Sequence, residues 1–365
     1  SYAIIHFQDE YEEGLDAYIT NAIFLNNKCE YEIYARTLGV VVKDSWFGNN
    51  ASNYMNEPNN YNVQMDSWLF LNGTNNQNDI KFFLMRYDGT TTSEYDNTLL
   101  PKINLTLTTT DGTLDKSVVS PDETVKFNPT ESGIKRVTAQ IEDAAQTIEF
   151  TMGDFNILQA VINNATSSVI NLTRNYTYNQ WDTMTEGVLI DRNVTINGNG
   201  FTIDAKGKSR IFKVTAGSIN ITDVTLKNGK ADNGGAIYFS NAISNSNINA
   251  TYINNTANQR GGANYFNGDV SNSNITGTYN HNTANLDGGA NYFYWSVSNS
   301  NINGTYNHNT AERYGGANNF KNSVSNSNIN GTYNNNTANL GDGGANNFQS
   351  SVSNSNINGT YNHNT

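Results

Sequence analysis

The chain has 365 residues, 36% of them hydrophobic and only 15% charged, with a net charge of −12 and a pI near 4.7. With 16 Phe and 21 Tyr it is too apolar for a disordered polar chain, which cannot bury enough surface to offset its ordering entropy. The acidic, lysine-poor balance repels phosphate backbones and argues against a nucleic-acid partner, and no run of about 18 apolar residues offers membrane insertion within this segment. The length predicts two or three structural units.

In residues 1–76, Phe24-Leu25-Asn26-Asn27 matches a Phe/Tyr-x-x-Asn element found again near the C-terminus. Leu38–Val42 is an apolar run, and Ser45-Trp46-Phe47-Gly48-Asn49-Asn50 follows it. We read this stretch as the terminal coils and cap of a preceding β-helix. The single cysteine, Cys29, permits no intramolecular disulfide and reads as a small buried hydrophobe. The chain starts at Ser1 with no signal peptide, so we expect either a processed protein or a piece of a longer one.

Residues 77–150 carry six or seven short strand patterns: Ile80–Tyr87, Ile103–Thr109, Val118–Val119, Thr124–Phe127, Gly133–Ile141 and Thr147–Phe150. Asp88-Gly89 and Asp111-Gly112 mark turns between them. That density predicts an immunoglobulin-like antiparallel β-sandwich, on spacing alone because no Cys pair exists.

Residues 151–365 read as a right-handed parallel β-helix, making the chain all-β. Asp154 is the expected N-cap of a short helix, Phe155–Ala165, with Phe155, Leu158, Ile162 and Ala165 on one face. Such a helix covers the open end of the first coil and blocks edge pairing. Strand patterns follow at Val169–Leu172, Gly187–Ile190, Val194–Ile196, Phe201–Ile203, Ile211–Val214 and Ile219–Leu226.

Gly-Gly-Ala then recurs at 234–236, 261–263, 288–290, 315–317 and 343–345, at intervals of 27, 27, 27 and 28 residues. A fixed period of this size signals a stacked repeat. The units lack the Ala, Leu, Glu and Lys of helical repeats and the leucines of a leucine-rich repeat. Three short strands per unit fit one coil of a β-solenoid. Phe239, Phe266, Phe293, Phe320 and Phe348 are expected to stack, as are Tyr252, Tyr279, Tyr306, Tyr333 and Tyr361. Ile243, Val270, Val297, Val324 and Val352 form an aliphatic column, and Ile248, Ile275, Ile302, Ile329 and Ile357 another. Asn supplies about 30% of residues 241–365; stacked Asn side chains bond along the axis and tolerate left-handed corners.

The GGA and Phe/Tyr-x-x-Asn pairing resembles the repeats of chlamydial polymorphic outer-membrane proteins. With Ser45–Asn50, a sandwich-like middle and Asn193–Gly207, the arrangement is similar to adhesin-like surface proteins of methanogenic archaea. The resemblance implies a large, secreted, often glycosylated protein of the cell surface, and supplies no catalytic residues. Asn264, Asn291, Asn318 and Asn346 depart from it, standing where a strand apolar residue is usual, whereas Ile237 keeps to it.

The chemistry-bearing residues are few. A polysaccharide-active enzyme needs clustered carboxylates, and the repeats offer only Asp269, Asp287, Glu312 and Asp342. Arg260 lies one period before Asp287, so they are expected as an ion pair on neighbouring coils rather than a catalytic or calcium site. His281, His308 and His363 share a column with Asn254 and Asn335, which favours a polar ladder over a metal site. About fifteen Asn-x-Ser/Thr sequons occur; Asn72, Asn104, Asn171 and Asn254 are the glycosylation candidates, while Asn303, Asn330 and Asn358 crowd one another on successive coils. Two turns vary between copies, and their Tyr294, Trp295, Arg313 and Tyr314 are the candidate ligand contacts. The expectation is a non-enzymatic, cofactor-free, extracellular adhesin segment contacting a host, cell-surface or polysaccharide ligand. The alternative is a filament subunit assembling head-to-tail with other copies.

Overall fold

The computed structural model describes residues 3–7, 17–25, 31–35, 39–47, 63–142 and 144–365. They form two compact units, Ser1–Thr151 and Met152–Thr365. No helix among the described residues is long and apolar enough to cross a membrane.

The first unit opens with parallel pairing. Ala3–Phe7 pairs with Tyr31–Ala35, and Ala17–Thr20 with Val40–Lys43 and then Val63–Met65. Phe24, Val40, Val42, Trp46 and Phe47 are buried, and Phe24 stacks on Phe47 with centroids 4.9 Å apart. Ser45 and Ser67 each accept, through Oγ, a backbone N–H from a residue 23 positions earlier on the coil before, Ala22 and Asp44 respectively. These strands and contacts stack parallel segments one on the next. The Cys29 expectation, Asn26, Asn27, Leu38 and Gly48–Asn50 lie outside the described residues.

The expected boundary at residue 76 is displaced. Trp68–Asn76 is already one arm of an antiparallel hairpin with Asp79–Tyr87, turned at Gln77 with φ of 54°. Trp68 also bridges Ser45 in parallel, so the antiparallel part grows directly out of the last coil. An apolar run such as Trp68–Leu71 suits either setting, which is why spacing misplaced the limit. One sheet runs Gly112–Leu114, Thr124–Pro129, Asp79–Tyr87, Trp68–Asn76, with Thr92–Glu94 beside Asp79–Tyr87. The other runs Val118–Val119, Leu105–Thr109, Gly133–Ile141, Ala144–Met152. Alternate residues of Gly133–Ile141 are buried, the period-two pattern of a strand with one solvated face. Phe127 meets Phe150 of the other sheet edge-on at 5.8 Å.

The second unit opens with the helix Asp154–Asn164. Its N-cap is Gly153, not Asp154, and the capping side chain comes from Asp182. Asp182 Oδ1 accepts from the N–H groups of Phe155 and Asn156 at 2.8 and 3.2 Å. A side chain at position 153 would collide with Asp182, so the cap residue is Gly. Asp154 instead pairs with Arg174 at 3.0 Å and accepts from Thr177 N. A cap supplied from a distant segment leaves no local signal. Phe155, Ile157, Leu158, Ala160 and Ile162 are buried. Gln159 pairs with Leu189 like a neighbouring strand, its Oε1 accepting from Leu189 N and its Nε2 donating to Leu189 O. Arg192 donates to the carbonyls of Ile162 and Ala165, closing the helix C-terminus. The helix thus protects the edge strand Val188–Ile190.

Beyond it lies a parallel solenoid with four strands per repeat coil, not the three expected: Asn264–Phe266, Val270–Ser271, Asn274–Asn280 and Thr283–Ala284 make one coil. The two-residue strands are too short for a propensity signal and exist only by pairing with their neighbours. The expected columns are in register. The Phe column stacks at 4.5–4.8 Å and the Tyr252 to Tyr361 column at 4.6–4.8 Å, with rings within 6° of parallel. Val270, Val297 and Val324 pair in sequence, as do Ile275, Ile302 and Ile329. The first Gly of each Gly-Gly-Ala has φ between 63° and 74°. A Cβ on the second, as at Gly262, would strike the Gly289 carbonyl on the next coil.

Candidate functional site

The solenoid wall carries a strip of aromatic and guanidinium groups. On strands Ile237–Phe239, Asn264–Phe266 and Asn291–Phe293 the central Tyr238, Tyr265 and Tyr292 stack at 5.3 Å. Arg210 lies 5.0 Å above Tyr238 and Arg260 5.5 Å above Tyr292, an attraction between cation and ring face. Burial raises the Tyr292 hydroxyl to a pKa of about 12, against the lowering effect of Arg260.

Asp287 anchors one end. Its Oδ2 accepts from Arg260 Nε at 2.9 Å and from Arg313 Nη2 at 3.1 Å, and the residue is 3% exposed. The expected surface ion pair is therefore a buried carboxylate clamped between arginines of the coils before and after. Arg313 also covers Tyr314, 5.9 Å from its centroid. Burial pulls the Arg260 pKa down, but the Asp287 hydrogen bond together with the charges of Tyr292, Asp287 and Tyr265 leaves a net rise.

The other end is exposed. Tyr292 lies 6.4 Å from Tyr294, which meets Trp295 edge-on at 5.5 Å. Tyr294 is 37% and Trp295 51% exposed. Their turn is held from both sides: Tyr294 N donates to Phe266 O, Asn322 Nδ2 donates to Tyr294 O, and Ser296 N donates to Asp269 Oδ1. Rings on a turn tied to both adjacent coils lose little further freedom on binding.

The sequence candidates Tyr294, Trp295, Arg313 and Tyr314 all belong to this strip or border it. The Tyr238–Tyr265–Tyr292 stack was missed, although Tyr recurs at 27-residue spacing just before the first three ladder Phe residues. Arg313 as the second partner of Asp287 was also missed. The remaining candidates are dispersed. Asn104, Asn171 and Asn254 are exposed, while Asn72 is half-buried with its Nδ2 donating to Met85 Sδ at 2.9 Å. His281 and His308 stack at 4.9 Å. Asn254, His281, His308, Asn335 and His363 all have φ of 50–55°, so the column selects residues that tolerate a left-handed corner. Among the described residues no three His, Cys, Asp or Glu side chains gather to hold a metal.

No family model matches the chain, and neither a curated protein nor a solved structure matches it.

Proposed function

We propose that this chain is a segment of an extracellular cell-surface adhesin, of the archaeal type its repeats resemble, and that it binds rather than catalyses. The observation that carries this reading is the strip from Asp287 through Arg260 and Tyr292 to the exposed Tyr294 and Trp295. Exposed rings beside planar charged groups suit the apolar faces and hydroxyls of a sugar or an anchoring residue of a protein partner. The solenoid is a stiff support, and repeated weak contacts along it sum by avidity. On this reading residues 68–152, with their two antiparallel sheets in contact through Phe127 and Phe150, are an immunoglobulin-like spacer. The exposed sequons Asn104, Asn171 and Asn254 are the sites for N-linked glycans.

The test is a glycan array probed with residues 1–365 and with Trp295→Ala. A bound glycan whose signal falls about ten-fold in the variant supports the site. Equal binding by parent and variant to every partner found would remove Trp295 and this reading of the strip.

A further inference from the structure

The long sheet of the solenoid carries a second surface, of different chemistry. Its strands are Asn247–Ile253, Asn274–Asn280, Asn301–Asn307 and Asn328–Asn334. In three of them the middle residue is Gly277, Gly304 or Gly331, lying between an inward Ile and an inward Tyr. Gly277 and Gly331 have φ of 147° and 156°, and a Cβ at 277 would collide with the Ala250 carbonyl. Glycine at this position lets neighbouring coils approach closely. A groove of about 310 Å³ lies on the outside of this sheet beside the bulge between Thr222 and Thr225, lined by Thr222, Asp223, Thr225, Asn249, Thr251 and Thr278 among others.

We propose that this groove binds an extended, uncharged polysaccharide lying along the solenoid axis. Thr225, Thr251, Thr278, Thr305, Thr332 and Thr360 are in register from coil to coil. Two residues earlier on the same strands stand Asn249, Thr276, Asn303 and Asn330, again outside the core. Asp223, which lines the groove, repels an anionic polymer, and beyond it neither column contains an ionisable side chain. Hydroxyls and amides without charge match sugar hydroxyls and offer nothing to an anionic polymer. The stacked rings of the same coils repeat at 4.6–4.8 Å, close to the length of one sugar residue in an extended chain. A polymer along the axis would meet the same donors and acceptors on each coil, whereas one across it would meet a single coil. No aromatic ring lines the groove, so each sugar contributes little and affinity is set by chain length. The proposal is independent of the Trp295 strip, which lies outside the long sheet.

Asn303-Gly304-Thr305 and Asn330-Gly331-Thr332 are sequons in these columns, so the test uses protein made in a host without N-glycosylation. Calorimetry with cello-oligosaccharides and laminari-oligosaccharides, from disaccharide to octasaccharide, is the measurement. The expected result is affinity rising with length in one series by about ten-fold or more, insensitive to salt. Thr278→Arg/Thr305→Arg should abolish it and Trp295→Ala should leave it unchanged. Asn303→Asp, a nearly isosteric change, should weaken it if the arginine variant fails to fold. Absence of binding in both series, length-independent binding, or loss through Trp295→Ala alone would overturn the proposal.

Discussion

At one position of the solenoid wall the column runs Val188, Phe212, Ile237 and then Asn264, Asn291, Asn318, Asn346. All but the last are buried in the same interior. The apolar half is stabilised by area removed from water, roughly 25 cal/mol per Å² whatever the neighbour. The amide half depends on its neighbours. Each Nδ2 donates to the Oδ1 one coil on, at 2.9 Å throughout. A parallel column, Asn255, Asn282, Asn309, Asn336 and Asn364, does the same at 2.9 Å and also donates to backbone carbonyls. An amide interior is thus stable only as an unbroken chain, because an unpaired buried amide costs its full desolvation. The junction shows this: Asn264 Oδ1 has no partner, since the residue before it in the column is Ile237.

Breaking the chain in its middle should have the largest effect. Asn291→Leu strips the partner from Asn264 Nδ2 and from Asn318 Oδ1, and we expect a loss of about 2–5 kcal/mol in urea unfolding. A loss below about 1 kcal/mol would mean the column behaves like its apolar half.

The two halves also differ toward alkali. The Tyr252, Tyr279 and Tyr306 hydroxyls point at the amide column without closing a well-formed hydrogen bond. Burial first, and then the neighbouring phenols, hold Tyr279 and Tyr306 well above the ordinary value of 10.0. The folded chain keeps protons that the unfolded chain releases above that pH. Their contribution is complete below pH 10 and is lost as pH rises further. We expect the Asn-rich coils to unfold in alkali together with the rise in tyrosinate absorbance. Tyr279→Phe should move that midpoint upward while changing neutral-pH stability by less than about 1 kcal/mol. Tyrosinate forming with no loss of circular dichroism would contradict this.

The apolar end depends on its helix. Asp182→Ala removes the acceptor of three backbone N–H groups, those of Phe155, Asn156 and Asn179, and should cost about 1–2 kcal/mol in thermal unfolding. Asp154→Asn should cost less if its role is the Arg174 pair. The smallest effect is expected at the junction. Ile237→Asn extends the amide chain by one and supplies a donor to Asn264 Oδ1, but gives up the contact with Phe212. We expect a net change within about 1 kcal/mol of zero. A loss as large as that of Asn291→Leu would show that the column does not extend by simple addition.

Sequence alone determined the repeat, its period and its ladders, because a solenoid places residue i beside i+27 and so turns a spatial neighbour into a sequence interval. Phe239 and Phe266, or Asn264 and Asn291, are legible in this way, and Trp295 stands out as a departure from the repeat. Tertiary structure decided what has no such interval. The Asp182 cap, the Gln159 pairing with Leu189 and the passage of Trp68 from coil to hairpin each depend on where separate elements meet. The double arginine clamp on Asp287 and the groove beside the Thr222–Thr225 bulge depend on side-chain direction and strand register. A period locates a residue along the axis, but its reach across the coil is set by packing, and the contacts of the candidate sites lie in that second direction.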